Sequence, residues 1–206
     1  MGERRATPNA ADERRHAPEA RQAPTFVEIW SFAAHATPIA PAVEVELGLR
    51  PAVDDAWFSA LLILPEVAVV VLELHLGSVR APGLELRTSG LWADHVVEEP
   101  LRRWSLGLEA FGLAFPVAEL SALDLGDPDI RGERVPVGWD LEWEHDALPG
   151  WYDTPSGVSA YGGPARVHGE VLVGVDAFEV DVVGHRAHRW GPGVRSSTGA
   201  PSPGSG

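Results

Sequence analysis

From Val135 the chain reads Val-Pro-Val-Gly-Trp-Asp-Leu-Glu-Trp-Glu to Glu144. Val135, Val137, Trp139, Leu141 and Trp143 alternate with Pro136, Gly138, Asp140, Glu142 and Glu144. In an extended strand this sets the apolar side chains on one face and the polar ones on the other. The same two-residue period relates Val43, Val45, Leu47 and Leu49 to Glu44, Glu46, Gly48 and Arg50. Val67-Ala-Val-Val-Val-Leu72 is rich in β-branched residues and lies between Pro65 and Gly77, which predicts a strand buried on both faces. Further strands are predicted over 167–173 and 178–183.

Residues 101–115 fit two periods. Leu101, Trp104, Leu108, Phe111 and Phe115 follow helical spacing, whereas Trp104, Leu106, Leu108 and Ala110 follow strand spacing. Gly107 and Gly112 would each cost about 1 kcal/mol inside a helix, and Pro100 suits a turn before a strand. A strand is the expectation. Roughly eight to ten strands with Gly, Pro and Asp turns and no long helix predict an all-β, antiparallel barrel or sandwich.

The chain has 206 residues, of which 45% are apolar, so it can close a sizeable core. Residues 1–24 and 192–206 have few large apolar side chains, and both are expected to be disordered tails around a β domain over 25–191. Sixteen basic residues, all Arg, against thirty acidic ones give a net charge of −14, which disfavours nucleic-acid partners. There is no cysteine, hence no disulfide, thiolate nucleophile or Cys-ligated zinc. The most apolar window, 58–74, is broken by Pro65-Glu66 and falls short of the ~20 residues that span a bilayer, so no integral membrane segment is expected. No signal peptide is evident, and the default expectation is cytoplasmic; the oligomeric state is left open.

An ordered series of motifs runs through the second half. It comprises Gly90-Leu-Trp-Ala-Asp-His95 with Glu98, Glu99 and Pro100; Trp104-Ser-Leu-Gly-Leu-Glu-Ala-Phe-Gly112; and Pro136-Val-Gly-Trp-Asp-Leu-Glu-Trp-Glu144. Val167-His-Gly-Glu-Val-Leu-Val-Gly174 and Gly184-His-Arg-Ala-His-Arg-Trp-Gly191 follow. The series resembles the lipocalin-like (calycin) group that contains hydroxyneurosporene synthase, a carotenoid hydratase, and its AttH-type relatives. That resemblance implies lipocalin-like barrels around an extended apolar substrate, and a hydratase (lyase) that adds water to an isoprenoid double bond or guides polyene cyclisation. Two departures stand out. Ala187 and Arg189 replace an acid and a serine of the family's last motif, and the second half of a typical member is missing, which suggests an incomplete second barrel.

Alkene hydration needs a strong proton donor, a positioned water and walls that tolerate a cation. A carboxyl whose pKa is raised by burial fits, with an imidazole or second carboxylate holding the water. The candidate catalytic residues are His95, Glu98, Glu99, Glu109, His168, Glu170 and His188, with Trp92, Trp104, Trp139, Trp143 and Trp190 lining a substrate site. Each has a plainer reading. The tryptophans also suit core packing, and His168 with Glu170 also suits an exposed cross-strand ion pair. A competing arrangement draws metal ligands from His168-x-Glu170 and His185-x-x-His188, but the spacing is weak and no metal or other cofactor is expected. The expected partner is a small apolar ligand. The alternatives to catalysis are a non-catalytic ligand-binding protein and a truncated, non-functional relative.

Overall fold

The computed structural model describes residues 7–19, 23–38, 40–77, 79, 82–122 and 130–196. It is antiparallel β throughout, with strands β1 (Phe26–Ala34), β2 (Ala42–Arg50), β3 (Asp55–Ile63), β4 (Val67–Glu73), β5 (Leu86–Arg87) and β6 (Leu91–Glu99). The series continues with β7 (Arg103–Pro116), β8 (Glu133–Glu144), β9 (Gly150–Trp151), β10 (Ser159–Val173) and β11 (Asp176–Pro192). Hydrogen bonding follows the order β4-β3-β2-β1-β11-β10-β8-β7, and a further β4–β7 pairing closes these eight strands into a ring. The closure is confined to 67–70 against 113–116. Toward the opposite end the same edge of β7 is occupied by β6, which pairs along Leu91–Val97 and carries β5 on its far side.

The two-residue alternation predicted from the sequence is the one that the barrel uses. Val43, Val45, Leu47 and Leu49 of β2 face inward, as do Val137, Trp139, Leu141 and Trp143 of β8. The ambiguous 101–115 segment is a strand, and Trp104, Leu106, Leu108 and Ala110 all join the central core. In β4, Ala68 and Val70 are buried along with Val69 and Val71, so this strand is covered on both faces. Packing rather than a wide lumen dominates the interior: Trp30, Phe32, Phe58, Trp104 and Trp143 all point into it and are fully buried. Eight-stranded barrels are just wide enough for their side chains to fill. Gly184 lets β11 approach closely. A Cβ there would stand 2.7 Å from the Ala33 carbonyl oxygen and 2.8 Å from the Trp143 ring.

The start of the chain differs from the expected tail. Residues 7–19 lie across the barrel end where β1, β7 and β10 begin, and Glu13 is only 4% exposed. The segment lacks apolar periodicity, which is why composition assigns it to a tail; ion pairs and hydrogen bonds hold it instead. At the other terminus, Pro192 still pairs with Phe26 and Gly193 N donates to the Thr25 carbonyl at 3.0 Å. The rest of the predicted C-terminal tail from residue 197 lies outside the described residues, as do 1–6 and 20–22. Among the described residues, no helix is long and apolar enough to cross a membrane.

Candidate functional site

The predicted catalytic residues do not converge. His95 points inward from β6 and is buried, with the rings of Phe32 and Phe58 centred 5.8 and 6.0 Å away. Glu98 and Glu99 are exposed at the bulged end of β6, where Glu99 lies 4.0 Å from Arg102. Glu109 and Glu170 are exposed on the outer wall. His168 is also on the outside, 3.5 Å from Glu144, the cross-strand pairing that its spacing allowed. His188 alone joins His95 inside, from β11, and is fully buried. A strand explains the split of the proposed His185/His188 metal pair: residues three apart face opposite sides, and the exposed His185 ring lies 2.8 Å from the Tyr152 hydroxyl.

The tryptophans divide similarly. Trp104, Trp139 and Trp143 are inner-wall packing residues, and Trp190 belongs to a smaller cluster with Phe26, Leu101 and Tyr161 at the barrel end. Trp92 lies outside and donates to Glu85 at 3.0 Å. Burial pushes the His95 imidazole down to about 3, and neither of its nitrogens has a hydrogen-bond partner among the described residues. It is therefore neutral near pH 7.

A buried polar cluster occupies the end of the barrel under residues 7–19. Glu13 receives two hydrogen bonds from Arg186, at 2.7 and 3.1 Å, and one each from Trp104 Nε1 and Leu101 N at 3.0 Å. Arg186 also donates Nε to His145 Nε2 at 3.1 Å. Beside this pair, Glu28 of β1 is 0% exposed; its Oε1 lies 2.7 Å from His16 Nδ1 and 2.9 Å from His188 Nε2. Burial opposes charge on Glu28, but hydrogen bonds from His16 and His188 overcome it and hold the carboxyl below the usual range. Burial draws His188 downward against the pull of Glu28, and draws His145 down together with the neighbouring Arg186 charge.

Glu13, His16, Glu28, Tyr161, His145 and Arg186 were absent from the sequence-derived candidates. For two of them a signal existed: Glu28 shares the inward face of β1 with Trp30 and Phe32, and Arg186 that of β11 with Val180, Val182, His188 and Trp190. An ionisable residue on an apolar face requires a partner. Glu13 and His16, in a segment without periodicity, offered no such signal.

A cavity of about 710 Å³ opens at the rim of this same end. Pro24, Phe26, Val27, Val53, Trp57 and Leu74 supply apolar wall, and Arg50, Asp55 and His75 supply polar groups. Arg50 is paired with Asp55 and stacks its guanidinium 5.6 Å over the Trp57 ring, while its Nε is buried without a partner among the described residues. Gly48 makes room for Trp57, because a Cβ there would collide with the indole. Asp54 and His75, with φ of 51° and 58°, line the cavity; Leu101, with φ of 65°, presents its N–H to Glu13. Left-handed backbone at non-glycine residues costs of order 1–3 kcal/mol and clusters at functional sites. Among the described residues, the three of this kind all lie at this end.

No curated protein and no solved structure was found to match the chain significantly. The family comparison is positive: residues 9–201 match the model described as a domain of unknown function, DUF7064, and the chain belongs to that family.

Proposed function

We propose that the protein binds a small, largely apolar molecule with one polar oxygen in the rim cavity, as a non-catalytic lipocalin-like binding protein. The observation that carries this reading is the cavity itself. At about 710 Å³ it falls within the roughly 300–1,000 Å³ usual for ligand sites, its walls are mostly apolar, and the paired Arg50 and Asp55 are part of its polar lining. The Arg50 charge is already balanced by Asp55, so a neutral hydroxyl or carbonyl suits the site better than a carboxylate. The resemblance to carotenoid hydratases suggests an isoprenoid. Hydration or cyclisation would further require a neutral carboxylic acid against the substrate's double bond. Glu98, Glu99, Glu109 and Glu170 are exposed, and Glu28 is held as a carboxylate, so binding is the half of that expectation the geometry supports.

The probe pair is farnesol and its parent alkane farnesane, followed by tryptophan fluorescence and calorimetry. At ~0.3 kcal/mol per heavy atom, farnesol should bind with a Kd of about 0.3 mM. Val53→Trp, which fills the cavity from an exposed position, should abolish binding, and Arg50→Met should remove the preference for farnesol over farnesane. Absence of farnesol binding, or binding untouched by Val53→Trp, refutes the proposal.

A further inference from the structure

His16, Glu28 and His188 present two imidazole nitrogens and a carboxylate oxygen, all within 4.8 Å of one another. They come from three separate places: the N-terminal segment, the start of β1 and the end of β11. Ring packing fixes both imidazoles. His16 stacks on Trp190 with centroids 3.9 Å apart, and His188 stacks on Trp30 at 4.5 Å.

The hydrogen-bond inventory of His188 is the informative part. Its Nδ1 lies 3.0 Å from the Asp12 carbonyl oxygen and 3.3 Å from the Tyr161 hydroxyl, and with the proton on Nδ1 the ring donates to the Asp12 carbonyl. Nε2 then offers a lone pair, yet it faces Glu28 Oε1, another acceptor, at 2.9 Å. In that tautomer a cation held between Nε2 and the carboxylate satisfies both acceptors, and the three ligand atoms already stand close enough to share one. A metal-bound histidine characteristically donates its other ring N–H to a carbonyl, as His188 does to Asp12.

We propose that His16 Nδ1, Glu28 Oε1 and His188 Nε2 form a site for a divalent transition metal ion such as Zn²⁺, which ties the N-terminal segment to the barrel end. Two imidazoles and one carboxylate suit Zn²⁺ or Fe²⁺ and leave a fourth position for water. The arrangement is independent of the rim cavity and holds whether or not that cavity takes a ligand.

The test loads the full chain with Zn²⁺ by calorimetry and chelator competition, and with Co²⁺ as a spectroscopic stand-in. Expected are one equivalent per chain, a visible Co²⁺ band of low-symmetry N/O coordination, and a rise in thermal midpoint with metal. His16→Gln, at a partly exposed position, should retain the fold and weaken Zn²⁺ at least about tenfold. Glu28→Gln should abolish uptake, whereas His185→Ala, on the outer wall, should leave it unchanged. A wild-type chain that takes up no stoichiometric metal overturns the proposal. Uptake undiminished in both His16→Gln and Glu28→Gln overturns it equally.

Discussion

Replacing His95 by leucine should stabilise the protein, and by an amount that grows as the solution is acidified. The imidazole lies between Phe32 and Phe58, with one donor and one acceptor nitrogen and no partner for either among the described residues. A buried polar group left unpaired costs about 1–3 kcal/mol, and leucine fills a similar space without that cost. His95→Leu should therefore raise the unfolding free energy at pH 7 by about 1–3 kcal/mol. Burial also lowers the His95 pKa from 6.5 to about 3. Between those values the unfolded chain binds a proton that the folded one refuses, so the wild type loses about 1.4 kcal/mol per pH unit below 6.5. At pH 5 this amounts to roughly 2 kcal/mol, and it is absent in His95→Leu. Urea unfolding of both proteins at pH 7, 6 and 5 should give curves that separate by that additional amount. Parallel pH dependence, or a less stable variant, would refute the reasoning and indicate that the imidazole has a partner worth more than its desolvation.

Two other substitutions test how the barrel is held. Arg186→Met should cost about 3–5 kcal/mol, because Glu13 would remain buried with its countercharge removed, and Glu13→Gln with Arg186→Met should recover most of the loss in chemical denaturation. The single Arg186 variant should also expose residues 7–19 to limited proteolysis. Gly184→Ala should cost about 1–3 kcal/mol by pressing on Val167, Trp143 and the Ala33 carbonyl, visible as a lowered thermal midpoint and an altered near-UV tryptophan spectrum.

The inner wall was legible in the sequence because strand periodicity is a backbone property. Side chains two apart point the same way regardless of partner, so Val135 to Trp143 identified both the element and its buried face before any pairing was known. Strand partners and closure were not legible at that level: that β4 returns to β7 depends on how β6 shares the edge of β7, a long-range competition between segments of similar composition. Which candidate residues share a face was not legible for a related reason. Motif proximity placed His95 beside Glu98 and Glu99, but in β6 the imidazole turns into the barrel while the acids lie exposed beyond Val97.

The polar end of the barrel follows from treating the same alternation as a charge problem. Extending the inward register of β11 from Val180 and Val182 reaches Arg186, His188 and Trp190, and that of β1 places Glu28 beside Trp30. Glu28 can serve His188, but an always-charged guanidinium at 0% exposure needs a carboxylate of its own. On the neighbouring strand, position 163 of β10, opposite Arg186, is glycine, and on the other side Phe32 of β1 faces it. Neither can supply the charge. A carboxylate from outside the wall must enter the barrel end, and Glu13 does so. A segment whose composition reads as a tail is thereby drawn into the fold, with the cation on an apolar face as one of its anchors beside the His16–Glu28 pair and the Asp12 carbonyl.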